Sequence, residues 1–371
     1  MRGRYPALLM ALFAASALLV AACGRAQSGA ASPIGPTVTR PSPSGQPRTV
    51  RLGFSTLPPD RTSDAYIGAF ATAAQYADVV LIQRAPPWQD FLPGGSISKA
   101  TADTTRTETQ LLNQYKNLKR FYAIDPTDSA VQRSRIANLP AGIDPQAGFN
   151  DPGIQEAFLA YTAYVVSNYK PDYLAIGVEI NMLYERSPDQ FNAFVALYKK
   201  AYDVAKAASP KTKVFPTFQL EDLLGTFGTI HPPHWQVLDP FRGKMDALAV
   251  STYPFLTQIR SANDIPPNYY SQLKQHFQGE ILISETGYPS APVEGQVNVG
   301  TQEDQQAFLT RILTDAENNG FSMVVWLAAL DPAFATTGSN TVFKDLGLRK
   351  SDGSNKLAWS TWEAWARRPL K

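Results

Sequence analysis

The chain has little cysteine, little histidine and no excess of charge of either sign. One Cys among 371 residues rules out a disulfide within the chain and a cysteine-ligated metal site. Lys and Arg total 34 against 32 Asp and Glu, a formal net charge of +2, so the sequence offers no basic surface for a polyphosphate backbone and nucleic acid is not an expected partner. Two of the three His form the pair His231 and His234, but the prolines between them prevent presentation from one helix face and no third ligand is evident. No metal is therefore expected. What is present is a composition 44% hydrophobic and 11% aromatic with 29 Pro, enough for a large core and for long structured loops.

The apolar run at residues 7–22 is short for a bilayer span and follows Arg2 and Arg4, the pattern of a secretory signal. It ends in Val20-Ala21-Ala22-Cys23, which resembles the bacterial lipobox, so Cys23 is expected to be lipidated and to become the mature N-terminus. Acyl chains contribute about 0.8 kcal/mol per buried methylene, so the chain is expected to be exported and tethered to the cell-envelope membrane without crossing it. Residues 24–48 are rich in Ser, Pro, Gly and Ala and poor in large apolar side chains, which reads as a flexible linker behind the anchor. Residues 49–371 carry no second low-complexity break and are expected to fold as one domain, acting as a monomer.

Within that domain, short apolar runs recur at 50–55, 78–83, 119–124, 173–179, 213–218, 247–253, 281–285 and 323–327. Their hydrophobicity is continuous rather than alternating, as in strands covered on both faces. Segments with helical spacing lie between them, as at 154–169, 187–208 and 302–319. Strand followed by helix, eight times, predicts a (β/α)8 barrel. A two-lobed binding protein is the other α/β arrangement, but no lobe crossover is visible.

In such a barrel the site forms where the strands end and the following loops converge. The fourth run ends in Gly177-Val178-Glu179-Ile180-Asn181 and the seventh in Ser284-Glu285-Thr286-Gly287-Tyr288-Pro289, each bringing a carboxylate to the mouth. Two facing carboxylates suffice for glycoside hydrolysis, one protonating the leaving oxygen while the other attacks the anomeric carbon or activates water. No cofactor is needed for that chemistry.

Glu at the ends of the fourth and seventh strands resembles the clan A glycoside hydrolases, and Ile283-Ser284-Glu285-Thr286-Gly287-Tyr288-Pro289-Ser290 is similar to the nucleophile segment of the family 53 endo-β-1,4-galactanases and related β-glucanases. Ser251-Thr252-Tyr253-Pro254-Phe255 is similar to their sixth-strand end, Trp326 stands where their sugar-stacking Trp stands, and residues 347–359 resemble their closing segment. The resemblance implies a retaining hydrolase of β-linked polysaccharide, with Glu285 as nucleophile and Glu179 as general acid/base. Tyr253 is read as a hydroxyl donor that keeps Glu285 ionised or else as a packing residue, and Trp326 as a sugar platform or else as core packing. The resemblance also implies that Glu179 carries the resting proton while Glu285 is charged.

One position departs from the family, which places Asn before the acid/base Glu to reach the sugar 2-hydroxyl; here it is Val178. Asn181 would lie on the same side as Glu179 and replace that Asn if the strand continued. Val178 also leaves open a non-catalytic glycan-binding lipoprotein on the same scaffold. Asp125, Gln219, Gln83 and Arg84 are further strand-end residues expected near the cleft. Trp88 and Trp235 are either outer sugar platforms or packing anchors, and Trp359, Trp362 and Trp365, three apart, read as packing against the barrel wall.

Overall fold

The apolar runs form parallel strands. The computed structural model describes residues 34–336 and 338–371; the signal segment and Cys23 lie outside the described residues. The strands are β1 (Arg51–Ser55), β2 (Val79–Arg84), β3 (Lys119–Ile124), β4 (Tyr173–Ile176), β5 (Lys213–Phe215), β6 (Thr217–Gln219), β7 (Ala247–Thr252), β8 (Glu280–Thr286) and β9 (Met323–Trp326). All pairings are parallel, in the order β5-β4-β3-β2-β1-β9-β8-β7-β6.

Nine strands make an eight-stranded barrel because β5 and β6 are halves of one strand. Pro216 separates them and has no N–H to give the ladder. β5 pairs with β4 and β6 with β7, and the seam is carried past the break by Thr217 N–H to the Gly177 carbonyl and by Ile180 N–H to the Thr217 carbonyl, both 3.0 Å. The predicted (β/α)8 fold is the one observed.

The strands are buried nearly throughout, as their continuous hydrophobicity requires. Gly53 on β1 is where the wall is tightest, since a Cβ there would stand 2.8 Å from Val325 Cγ2. The surrounding helices begin where capping chemistry permits: Asp151 caps Pro152–Tyr169 through the Ile154 N–H, and Thr301 caps Gln302–Asn319 through the Asp304 N–H. Gly320, left-handed, ends the latter. On the last helix, Leu357–Arg367, Trp362 packs on Phe54 with ring centroids 4.4 Å apart and donates to the Tyr76 carbonyl, and Trp359 is buried beside it. Trp365 is half-buried under the Arg368 guanidinium.

The linker expectation needs correcting for its second half. From Gly35 to Arg48 the chain lies on the barrel: Gly35 N–H donates to Gln114, Arg40 donates to the Ala77 carbonyl, and Arg48, fully buried, makes a two-pronged ion pair with Asp78 at 2.6 and 3.0 Å. Counting only large apolar side chains missed this, because the segment is held by guanidinium and backbone hydrogen bonds. Among the described residues, no helix is long and apolar enough to cross a membrane.

Candidate active site

Glu179 reaches the barrel mouth because the chain leaves strand geometry just before it. β4 stops at Ile176; Gly177 takes φ +92, where a Cβ would lie 2.5 Å from the Phe194 ring, and Glu179 itself is left-handed at φ +49. A non-glycine residue in that region costs on the order of 1 kcal/mol, and such strain concentrates at functional sites. Glu285 is delivered differently, on the regular strand β8, where a register shift against β7 after Val250 sets it beside Ser251.

The two carboxylates sit in a buried polar network. Glu179 Oε1 accepts from Ser251 Oγ at 2.6 Å and Oε2 from Arg133 Nε at 2.7 Å, while its own N–H donates to Thr217 Oγ1. Glu285 Oε1 accepts from the Tyr253 hydroxyl at 2.5 Å. Arg133 continues to Asp125 Oδ1 at 2.6 Å and Thr127 Oγ1 at 3.0 Å, and Asp125 Oδ2 accepts from Gln83. Phe343, from the segment after β9, packs edge-on against the Tyr253 ring. Glu179 is 1% exposed and Glu285 4%, so the carboxylates interact through protein rather than water.

Burial and neighbouring charges act unevenly on the acids of this network. Burial first, and then the charge of Glu179, push the Glu285 carboxyl up to about 8, although the Tyr253 hydroxyl and the Arg133 guanidinium oppose the rise. Burial and the charge of Glu179 therefore favour the neutral form of Glu285, and both Glu179 oxygens act as acceptors. Burial also raises Asp125, and burial together with Glu285 holds the Tyr253 phenol well above its usual value. Arg133 stays charged: burial works against it, but Asp125 and Glu179 prevail.

Three other expected site residues are placed elsewhere. Asn181 does not stand in for the missing Asn, because the strand has ended and its amide is used internally, donating to the Gln219 carbonyl and Asp222 while accepting from Gln219 N–H. Gln219 donates to Glu221 and accepts from the Asp222 N–H, and it is fully buried. Trp326 is also fully buried; its indole N–H goes to the Leu346 carbonyl at 2.8 Å and no ring face is open to a sugar. Of the residues expected at the rim, Gln83 joins the network through Asp125, whereas Arg84 turns to buried Glu108. Trp88 is buried and donates to the Ala137 carbonyl, and Trp235 stacks on His276 at 3.8 Å.

Sequence reasoning missed Arg133, Ser251 in its contact with Glu179, and Glu221. Ser251 lay in a motif already singled out and carried that signal. Glu221 is a buried hub taking donors from Gln219 Nε2, Thr252 Oγ1, Tyr253 N–H and the Tyr269 hydroxyl, and so fixes the backbone that carries Tyr253. Arg133 sits in an irregular loop after β3 with no local motif to reveal it. Away from the carboxylates, the His231 and His234 rings stack at 4.0 Å, and the Glu185 carboxylate lies close to both.

No family model matches the chain, and none of the curated proteins does. Solved structures do. An exo-β-1,4-mannosidase from Opitutaceae bacterium strain TAV5 superimposes with a TM-score of 0.66 at 16% identity, over 88% of this chain and 61% of that one, so the present chain spans about three fifths of its length. A GH5_18 protein from Bifidobacterium longum gives 0.63 at 16% identity over 87% of this chain and 81% of that one. The GH53 catalytic domain of Ignisphaera aggregans gives 0.59 at 14% identity, covering 89% and 99%. Identities this low speak to fold alone, and the fold they share with this chain is the (β/α)8 barrel.

Proposed function

We propose that the protein is a retaining glycoside hydrolase acting within a β-linked polysaccharide, on the outer side of the membrane to which Cys23 anchors it. The single observation that carries the reading is the pair of buried carboxylates, Glu179 after β4 and Glu285 at the end of β8, close enough for the charge of one to raise the proton affinity of the other. The resemblance of residues 283–290 to the family 53 galactanases supports a galactan-like substrate, and the exo-β-1,4-mannosidase among the structural neighbours a mannan-like one.

In the first step Glu179 gives its proton to the glycosidic oxygen as Glu285 attacks the anomeric carbon, which breaks the bond to the leaving sugar and leaves a glycosyl ester on Glu285. In the second, Glu179 takes a proton from water, the oxygen displaces Glu285, and the released sugar keeps its anomeric configuration. This requires a proton on Glu179 and an ionised Glu285 when substrate is bound. Burial is the larger cause of the raised Glu285 carboxyl and the charge of Glu179 the second, so a neutral Glu179 removes one of the two and favours the ionised nucleophile. The Nη2 amino group of Arg133 is buried and without a hydrogen-bond partner among the described residues, and in this reading it is the donor available to the substrate where Val178 replaces the family's Asn.

Incubation with β-galactan, β-mannan, xylan and β-glucans, with reducing ends measured, tests the reading; release from none of them removes it. The second reading, a glycan-binding lipoprotein, is favoured by the Arg133 ion pair on Glu179 and by apolar Val178. Saturable polysaccharide binding with no new reducing ends would establish it instead.

A further inference from the structure

We propose that Glu185, His231 and His234 form a binding site for one divalent transition ion of the zinc class, which fastens the loop carrying Glu179 to the loop after β6. Glu185 belongs to the short helix Met182–Arg186, entered directly from Glu179, and the His pair to the segment after β6.

That segment is built rather than loose. Gly225, at φ +70, passes so close beneath it that a Cβ would fall 1.8 Å from the His231 carbonyl oxygen; His231 N–H donates to the Gly225 carbonyl and His234 N–H to that of Leu223. Pro232 and Pro233 restrict the backbone between the two rings. Arg186 ties the same two loops together through Asp222 at 3.1 Å.

The hydrogen-bond chemistry of the cluster is incomplete without a cation. His231 Nδ1 lies 2.7 Å from the Pro232 carbonyl, which only accepts, so Nδ1 carries a hydrogen and in the neutral ring Nε2 presents its lone pair. That Nε2 is buried and has no hydrogen-bond partner among the described residues. It faces Glu185 Oε2 at 3.6 Å, and His234 Nδ1 faces Glu185 Oε1 at 3.3 Å. A lone pair opposite a carboxylate repels, and 3.6 Å is too long for a proton between them to make a good hydrogen bond.

An ion satisfies all three groups at once. Bonds of about 2.0–2.1 Å in tetrahedral geometry place neighbouring ligand atoms roughly 3.3 Å apart, and the ligand atoms here all lie within 4.8 Å of one another, so small rotations of the side chains bring them to an ion. The ring N–H given to a backbone carbonyl is the support that metal-binding histidines ordinarily have. Two imidazoles and one carboxylate select zinc, cobalt or nickel over magnesium or calcium, and three protein ligands leave a coordination position open.

The test uses the full chain without a histidine tag, stripped with chelator and titrated calorimetrically with Zn²⁺. One ion per chain is expected, with a Tm rise of roughly 5 °C at a hundredfold excess over Kd, and Co²⁺ should give the visible absorption of a low-coordinate site. His234→Ala and Glu185→Gln should each weaken zinc about a hundredfold or more, since ligands matter at least as much as their supports. Glu185 is a solvent-facing residue, so Glu185→Gln should still fold. No uptake by the wild-type chain, or uptake with unchanged stoichiometry and Kd in both variants, overturns the site.

Discussion

Arg133 binds Glu179 through Nε at 2.7 Å while its Nη1 holds Asp125 at 2.6 Å, so one buried guanidinium balances two buried carboxyls. Removing it strands both. Arg133→Ala should therefore destabilise the protein by roughly 3–5 kcal/mol near neutral pH, with a smaller deficit in acid, where the unpaired carboxyls can take up protons. Denaturant unfolding at two pH values checks this. A loss below about 1 kcal/mol would mean that the pair is not held as described.

Glu285 makes stability depend on pH in the direction opposite to a salt-bridged acid. Its folded value of about 8 lies above the ordinary 4.5, so between those limits the folded state holds a proton that the unfolded state has lost. The contribution is complete below about 4.5 and declines as pH rises through 8. The slope in that window is at most about 1.4 kcal/mol per pH unit for a single group. Glu285→Gln cannot ionise, so its stability relative to wild type should rise from pH 5 to pH 8. Parallel unfolding curves for the two proteins across that range would refute the shift.

How much of this the sequence disclosed follows from the kind of signal involved. The strands were legible because burial on both faces leaves uninterrupted apolar runs, and seven of the eight became single strands. The break at Pro216 was visible as a residue, but its effect depends on which neighbour each half pairs with. Glu179 and Glu285 were legible because strand ends converge in a barrel. Asn181 and Trp326 were misjudged for a shared reason: the position of a side chain at a strand end was extrapolated from strand geometry, and the backbone had already turned at Gly177 or the ring had been drawn inward to the Leu346 carbonyl. Arg133 was illegible because its partners lie 8 and 46 residues away, and neither spacing belongs to any local period.

The Tyr253 hydroxyl opposes the rise of Glu285, so its loss should be readable in both rate and pH. Tyr253→Phe should keep the fold and lower kcat roughly ten- to hundredfold, the range for a hydrogen bond to a charged group. Because the lost bond favoured the ionised form, the limb of the rate profile that reports nucleophile ionisation should move to higher pH. An unmoved limb with reduced kcat would make Tyr253 a packing residue.

The proposed anchor rests on Cys23 and the small residues before it. Cys23→Ser should shift the protein from the membrane fraction to the soluble fraction, or stall its processing. A variant that fractionates and migrates like wild type would eliminate lipidation.

The stereochemistry of the first product decides the assignment of roles. Retaining carboxylates stand about 5–5.5 Å apart, whereas inversion needs about 6.5–9.5 Å to seat a water. With Glu285 attacking directly, the first sugar released should keep its configuration, as followed by NMR before mutarotation. Glu285→Ala should abolish turnover because no glycosyl ester can form. Glu179→Ala should lose far less on substrates whose leaving group needs no proton, and azide should partly rescue it by attacking the ester from the β face to give a β-glycosyl azide. If Glu285 were the proton donor during turnover, the dependence would reverse: Glu285→Ala, not Glu179→Ala, would be the variant spared by an activated leaving group. An inverted first product would remove the covalent mechanism altogether, and full activity of Glu285→Ala would remove the site.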